Sequence, residues 1–491
     1  MARRFWRNLD YPLLAALFVL SAYGVVMIYS ATLGTLGVED AARRQLVYAL
    51  VGVVLLFITA TIDYRLWGLV QQPLPILTPL LLSWGNMALI LAWRHGQMST
   101  LEGTPIALLS GSDVPVFAMA LMVMMLVFML DRAWMQRIDL GLQRAGIAAL
   151  VVGVVAGLAW LFSRLGSANL SGWAPYLMTG GLAALYLLDC LTLRFCDQLQ
   201  NGLYALILIL LSMVLVSGQV AGGAKSWLGA GAVQPSELSK MLIIVVLAKY
   251  LADHEEEVQR FKIVLISLGM VGIPALLIYV QPDLGMVLIM LAIWLVMMWV
   301  ARVRVTHLLS LAVAGVAALP LIWANLEEYM RRRLLLFINP AHDPDSYFNV
   351  YQALVSIGSG GWTGKGFTQG TQSQLHFLRV RHTDFIFAVT AEELGFLGAV
   401  AMMLLIFVLL WRTIRVAEQA RDTFGRLVAS GVAGVILFQS VVNIGMNLGL
   451  LPVTGIPLPF VSYGGSSFLT LMLAMGLVES IAVRRKKLEF D

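Results

Sequence analysis

One aspartate, Asp384, stands where a polar loop ends and a long apolar segment begins, in the tripeptide His382-Thr383-Asp384. An acidic pair, Glu392-Glu393, follows less than three turns into that segment. An ionisable group at the edge of an apolar span is a candidate for chemistry, because burying its charge is costly. Such a carboxylate could serve as a general base that takes the proton of an attacking hydroxyl. The alternative is structural, since Asp also favours the position that caps a helix.

Three further polar motifs interrupt apolar stretches. Glu237 and Lys240 are three residues apart, which places them on one face of a helix, either as a structural ion pair or as part of a cavity. Asp283 could cap the apolar helix that follows it. Prolines and paired glycines forbid a regular helix in 452–467, and irregular backbone at membrane depth is tolerated where it lines a cavity or is buried in protein. We therefore predict that 452–467 forms the wall of a pocket.

The motifs that would indicate metal or nucleotide chemistry are missing. The six histidines show no metal-ligand spacing. The sequence contains no Walker-type phosphate loop, so the chain is not an ATP-driven pump by itself. No certain cofactor is predicted, and a divalent cation, Mg²⁺ or Mn²⁺, is left open. With two cysteines, Cys190 and Cys196, no disulfide framework is expected.

The composition sets the class of the protein. Hydrophobic residues make up 59% and charged residues 12% of the chain, and the mean hydropathy is +0.84. A soluble domain carries about 25% charged residues, so this composition indicates an all-α polytopic membrane protein. Fourteen apolar segments are predicted to span the membrane: Tyr11–Ser30, Gln45–Ile62, Pro73–Trp93, Val114–Leu130, Ala145–Phe162, Trp173–Leu191, Leu203–Ser217, Pro235–Leu251, Ile263–Val280, Leu284–Val300, Leu308–Trp323, Phe385–Trp411, Leu427–Leu448 and Phe468–Val483.

The distribution of basic residues predicts the orientation. If the N-terminus is cytoplasmic, most of the 33 Lys and Arg residues fall in cytoplasmic segments. This bias agrees with the positive-inside rule. We expect a multi-pass protein of the inner (plasma) membrane with both termini in the cytoplasm. The long loop 324–383 and Asp384 would then lie on the outer face.

At these polar motifs the chain resembles the SEDS family, also called the FtsW/RodA/SpoVE family, of peptidoglycan glycosyltransferases. Five stretches in the family's order carry the resemblance: Gly223–Lys240, Gln281–Gly285, Ile338–Leu378, His382–Gly398 and Leu450–Ser467. The stretch GKGFTQGTQSQLHFL is more similar to the elongation branch than to the division branch. Two positions depart from the family pattern: Arg379-Val380 replaces a common Pro-Glu, and Ser226 replaces a common Arg.

The resemblance implies a ten-helix core with an insertion. Residues 1–67 would hold core helices 1 and 2, and 197–491 would hold core helices 3–10 with the outer loop 324–383 before Asp384. Residues 68–196 would add four transmembrane helices, an even number that preserves the orientation of everything downstream. We expect these inserted helices to lie outside the core, as a packing surface or a surface for a partner.

The resemblance also implies the reaction. Lipid II, an undecaprenyl pyrophosphate-linked disaccharide peptide, would be polymerised into glycan strands for cell-wall elongation and cell shape. Its 4-hydroxyl would attack C1 of the donor sugar with inversion, and Asp384, which matches the family's essential Asp, would be the catalytic base. The expected protein partner is a class B penicillin-binding protein, a transpeptidase. Substrate binding is predicted for Lys240, Glu237, Trp227, Gln281, Lys365, Arg381 and Ser462.

Three alternatives remain open from the sequence. A flippase that moves lipid II across the bilayer would also have charge pairs and broken helices at membrane depth. A division polymerase would use the same chemistry at the division site. A scaffold that anchors a transpeptidase would have the same helices without the reaction.

Overall fold

The computed structural model describes residues 6–34, 40–69, 202–217, 219–221, 224–227, 234–326, 328–340, 344–375 and 377–485. The four predicted inserted helices of 68–196 and both cysteines lie outside these residues, apart from 68 and 69. The chain divides into one compact unit of Met1–Leu69 with Val220–Asp491 and a second unit of Val70–Gln219. In the second unit, the structure describes one apolar helix, Gly202–Ser217.

The described residues form fourteen α-helices in the following order: α1 Tyr11–Thr32, α2 Ala41–Thr61, α3 Tyr64–Leu69, α4 Gly202–Ser217, α5 Pro235–Asp253, α6 Phe261–Val280, α7 Leu284–Val300, α8 Val305–Asn325, α9 Glu328–Ile338, α10 Pro344–Ser359, α11 Thr371–Gln374, α12 Ile386–Glu418, α13 Thr423–Asn447 and α14 Gly465–Val483. A 3₁₀ turn, Glu255–Glu257, links α5 to α6. Two short strands, β1 Gln219–Ala221 and β2 Ala224–Trp227, pair with each other between α4 and α5.

The predicted fold class, a polytopic helical membrane protein, is confirmed. Each of the ten predicted spans outside 68–196 coincides with a described helix. Six of these helices are long and apolar enough to cross a membrane: α1, α2, α6, α12, α13 and α14. The paired strands are a departure from the all-helical prediction. A Gly-Gly pair separates them in the sequence, and such pairs favour tight hairpins.

Helix starts follow from short polar side chains. Asp10 accepts a hydrogen bond from the Leu13 backbone N–H at the start of α1. Asp422 does the same for the Gly425 N–H at the start of α13. The predicted cap at α7 is confirmed, because Asp283 Oδ1 accepts from the Met286 N–H at 3.0 Å. Each contact satisfies a backbone donor that the first helical turn leaves without a partner.

The centre of the larger unit is α13, which packs against α5, α7, α12 and α14. Small residues allow this close approach: a Cβ built on Gly431 of α13 would lie 2.7 Å from Ile244 Cγ2 of α5. In membrane interiors such contacts supply packing that the hydrophobic effect does not. On the other side of the unit, α1 packs against α2 and α12, and α2 packs against α14. The loops between these helices lie at the two ends of the helix bundle, which are called its two faces here.

A network of charges lies on one of these faces, called here the basic face. Arg412 donates to both carboxylate oxygens of the buried Asp10, at 3.0 and 2.6 Å. Arg485 donates to the same carboxylate at 3.3 Å. The Asp10 backbone N–H donates to Glu479 Oε2 at 3.2 Å. The network thus joins the start of α1 to the ends of α12 and α14, while the end of α1 and the start of α12 lie on the opposite face.

Candidate active site

Asp384 lies in a tight turn, 381–385, directly before α12. The residue that flanks the first turn of α12 is Phe385, and it makes no side-chain cap. The Asp384 carboxylate instead lines a cavity of about 390 Å³. The position of Asp384 in the cavity lining therefore favours a role in chemistry over the helix-cap alternative.

Four donors hold the backbone of this turn from the C-terminal part of the chain. The Tyr463 N–H donates to the His382 carbonyl at 2.9 Å, and the Ser462 hydroxyl donates to the Thr383 carbonyl at 2.6 Å. Asn443 and Asn447 both donate side-chain N–H groups to the Asp384 carbonyl, at 3.1 and 2.9 Å. Three consecutive carbonyls are therefore fixed, which leaves the Asp384 side chain directed by a rigid backbone.

The irregular segment after α13 forms one wall of the cavity, as predicted. Pro452–Pro457, Tyr463 and Gly464 contribute to the lining. Ser466 and Ser467 do so as well, but they lie in the first turn of α14, so the predicted irregular segment 452–467 ends at Gly464. Gly455 adopts a φ of +72°, which glycine tolerates and other residues rarely do. A Cβ built on it would lie 3.8 Å from Arg333 Nη1 and 3.9 Å from Asp384 Oδ2. These two charged groups therefore approach the same point of the wall.

Arg333 of α9 is the one Lys or Arg side chain in the cavity lining, among the residues that the structure describes. Its Nη1 also donates to the Val453 carbonyl at 3.4 Å, which ties α9 to the wall. Burial raises the pKa of the Asp384 carboxyl, and the positive charge of Arg333 opposes that rise. The site thus pairs a carboxylate that can accept a proton with a cation that can stabilise developing negative charge.

Glu237 and Asp283 complete the acidic part of the lining. Glu237 forms an ion pair with Lys240, Oε2 to Nζ 2.5 Å, although its geometry is not that of an aligned hydrogen bond. Their side chains are 3% and 2% exposed, and Lys240 is not in the lining. Burial raises the pKa of the Asp283 carboxyl, and the hydrogen bond from the Met286 N–H opposes that rise.

The other predicted substrate residues take different places. Gln281 is buried outside the lining, and Ser462 holds the Asp384 turn through its hydroxyl. Trp227 is in β2, and its side chain lies outside the described part of the structure. Lys365 and Arg381 are also outside the lining and belong to the loop that packs on α12.

That loop is held by Glu392 and Glu393, which are fully buried. Glu392 accepts from the backbone N–H groups of Gln372 and Ser373, at 2.7 and 3.1 Å. Lys365 Nζ lies 3.6 Å from Glu392 Oε1 and donates to the Thr371 hydroxyl at 2.6 Å. The acidic pair is therefore separate from the cavity and fastens the loop to α12.

Metal binding was left open by the sequence. Within the described ranges, no group of three or more His, Cys, Asp or Glu side chains could hold a metal ion. The cavity carboxylates Asp384, Asp283 and Glu237 do not form such a group.

Arg333 and Asp283 belong to the cavity without having been predicted as site residues. Arg333 could have been suspected from the run Arg331–Arg333 in the loop 324–383. Asp283 was recognised as a cap, and it combines that role with a place in the lining.

Comparison with known proteins finds extensive similarity. Residues 174–487 match the family model FTSW_RODA_SPOVE, described as "Cell cycle protein". The peptidoglycan glycosyltransferase MrdB of Escherichia coli (strain K12) is 36% identical over 355 residues, which are 71% of this chain and 88% of MrdB. The probable peptidoglycan glycosyltransferase FtsW of Thioalkalivibrio sulfidiphilus (strain HL-EbGR7) is 36% identical over 369 residues, 72% of this chain and 91% of that protein.

Among solved structures, a chain described under "Structural coordination of polymerization and crosslinking by a peptidoglycan synthase complex" is 30% identical, with a TM-score of 0.49. The match covers 76% of this chain and 98% of that chain.

Proposed function

Because this chain belongs to the FtsW/RodA/SpoVE family and is a peptidoglycan glycosyltransferase, we propose that its Asp384 cavity joins one lipid-linked sugar to another. The substrate is lipid II, and the product is a glycan strand. The observation that carries the assignment is a carboxylate that lines a cavity beside one arginine, on a backbone held at three consecutive carbonyls.

The proposed reaction is a single displacement. The 4-hydroxyl oxygen of the acceptor forms a bond to C1 of the donor sugar while the bond from C1 to the pyrophosphate oxygen breaks. The hydroxyl proton moves to the Asp384 carboxylate, and the electron pair of the broken bond leaves with the pyrophosphate. Pyrophosphate is a good leaving group, so the second, acidic carboxyl of a glycoside hydrolase is not needed. One displacement inverts the configuration at C1.

Arg333 is proposed to stabilise the pyrophosphate as its charge grows. A guanidinium can donate two parallel N–H groups to a phosphate, which suits a leaving group with several anionic oxygens. Lys240, Lys365, Arg379 and Arg381 were candidates for this charge from the sequence. None of the four lines the cavity, whereas Arg333 does.

The proposal is tested by incubating the purified full chain with lipid II in detergent and separating the products by size. Glycan polymer is the expected product, and an Asp384→Asn protein of equal purity should make almost none. A flippase would make no polymer, so wild-type protein that is folded but makes none would reject the proposed reaction. Adding a class B penicillin-binding protein, the proposed partner, shows whether that partner changes the rate.

We also propose that the basic face is cytoplasmic and that the Asp384 cavity opens toward the outer face. Arg412 and Arg485 both lie on the basic face, which fits the positive-inside rule. In this orientation, both termini are cytoplasmic. Lipid-linked substrate would reach the cavity from the outer leaflet, where cell-wall elongation takes place.

Arg333→Gln should shift the acidic limb of the kcat/KM profile to higher pH. Asp384 must be deprotonated to act as the base, so activity is lost as the pH falls through its pKa. The Arg333 charge opposes the rise that burial causes in this pKa. Without that charge the pKa is higher still, and the carboxylate is protonated at a higher pH.

The measurement is the initial rate of polymerisation at subsaturating lipid II across the pH range. Arg332→Gln is the control, because Arg332 is the exposed neighbour on α9 and lies outside the cavity lining. An acidic limb that stays in place, or moves to lower pH, in Arg333→Gln would show that Arg333 does not control the proton affinity of the base.

A further inference from the structure

The last turn of α1 makes three contacts, two with the loop that leads to Asp384 and one with Glu393 of α12, which follows Asp384. The Ser30 hydroxyl lies 2.6 Å from both carboxylate oxygens of Glu393. The Ser30 carbonyl accepts from Gln374 Nε2 at 3.1 Å. The next carbonyl, that of Ala31, accepts from Arg381 Nε. The end of α1 is therefore an anchoring point for the loop that precedes the proposed base.

Glu393 is at the centre of these contacts. Besides Ser30, it accepts from the Thr368 backbone N–H at 3.2 Å, from the Ser373 hydroxyl at 3.4 Å and from Gln374 Nε2 at 3.3 Å. Each of these groups can donate, and a carboxylate accepts at both oxygens. A carboxamide in its place would present an N–H group toward some of these donors.

Arg381 stands three residues before Asp384, and it is 5% exposed. It is held at the Ala31 carbonyl, and the negative charge of Glu393 acts on it. The Asp384 turn is therefore fixed at both ends. Backbone carbonyls 382–384 are held by α13 and the segment before α14, and Arg381 is held by α1.

We propose that Arg381, Glu393 and Ser30 are positioning residues that set the direction of the Asp384 carboxylate, and that Arg381 acts through the Ala31 carbonyl and not as a ligand of the pyrophosphate. This inference rests on the proposed function, because it assigns Asp384 as the base. A misplacement of about 1 Å at a reacting group can cost roughly 100-fold in rate.

The two roles of Arg381 differ in kinetics. A pyrophosphate ligand contacts a group that is already anionic in the bound substrate as well as in the transition state, so its loss raises KM whether or not kcat also falls. A positioning residue acts on the geometry of the base, so its loss lowers kcat and leaves KM near the wild-type value. Ser30 provides a second test of these two roles, because it is fully buried and does not line the cavity. A pyrophosphate role for Arg381 gives no reason for Ser30 to matter.

The experiment measures kcat and KM for lipid II with full-chain Arg381→Gln, Ser30→Ala and the double variant, together with melting temperatures in detergent. We expect Arg381→Gln to lower kcat roughly 10- to 100-fold with KM within about twofold of wild type. Ser30→Ala should lower kcat less, and the double variant should be little worse than Arg381→Gln, because neighbouring residues in one network are not additive. Ser359→Ala is the matched control, since the Ser359 hydroxyl donates to the Ser356 carbonyl of its own helix.

The inference is overturned if Arg381→Gln raises KM, whether or not kcat also falls, which would identify a substrate ligand. It is also overturned if Ser30→Ala lowers the melting temperature but keeps the wild-type kcat, which would indicate a stabilising role alone. Ser30→Ala decides the question if Arg381→Gln does not fold. Folded wild-type protein that makes no polymer would reject the proposed function itself, whereas an active wild type with normal kcat in all variants would reject the positioning role alone.

Discussion

Asp384→Asn is expected to lose about 10²- to 10⁴-fold in the rate of lipid II polymerisation, the range that a general base contributes. Asn has nearly the same size as Asp but cannot take the hydroxyl proton. The contacts that hold this turn go to backbone carbonyls, so the substitution leaves them in place. Expression, elution volume and melting temperature should therefore match the wild type.

Asp253→Asn provides the control for this substitution. Asp253 ends α5 and pairs with Lys249 at 2.5 Å, with a side chain that is 50% exposed. Its variant should polymerise lipid II at the wild-type rate. Near wild-type turnover by folded Asp384→Asn protein would mean that Asp384 is not the base, and the cavity would then need another proton acceptor.

The membrane helices could be predicted from the sequence because each is a continuous apolar run of nearly the length that spans a bilayer. Asp384 could be located because it stands where polar loop gives way to such a run. Arg333 could not be placed in the cavity on the same grounds. It is 51 positions before Asp384 in the chain, and only the folded loop brings α9 against the wall that contains Gly455.

The contacts of the charged residues in the long loop could not be predicted from the sequence either. Lys365 and Arg381 attract attention in the sequence because they are cations near a candidate base. The structure places both outside the cavity lining, against carbonyls, hydroxyls and carboxylates of the loop and its neighbours. Their spacing in the sequence carries no information about which of these partners they meet. The tertiary contacts are needed to distinguish a cation that can bind substrate from one that stabilises a loop.

Among the residues that the structure describes, three sets of charged side chains differ in their chemistry. Asp384 and Arg333 face an open cavity, where water or substrate can reach them. Glu392 and Glu393 accept from donors of one loop and fasten it to α12, and Glu393 also accepts from Ser30 of α1. Asp10 accepts hydrogen bonds from two arginines, Arg412 and Arg485, on the basic face. In each set, a buried carboxylate has partners that offset the cost of removing its charge from water.

The pair Glu237 and Lys240 should produce the largest change in stability, and the two single variants should differ. The small cavity at Lys240 is lined by apolar side chains of α5, α13 and α14 and by Thr470. Glu237→Gln would remove the ion-pair partner of the buried Lys240 ammonium and leave Asp283 as a negative charge that acts on it, which should cost about 3–5 kcal/mol of unfolding free energy. Lys240→Met should cost less, because Met suits the apolar surroundings and Glu237 faces the larger cavity.

The double variant Glu237→Gln with Lys240→Met removes both charges, so it should recover much of the stability that Glu237→Gln loses. Unfolding by heat or denaturant in one detergent measures all three proteins. Lys249→Met is the matched control on the same helix: its pair with Asp253 has the same 2.5 Å distance but is 37% and 50% exposed. An exposed pair contributes about 0–1 kcal/mol, so this control should unfold near the wild-type midpoint.

If Glu237→Gln unfolds at the wild-type midpoint while its turnover falls, the pair contributes to the reaction and not to the stability of the helix bundle.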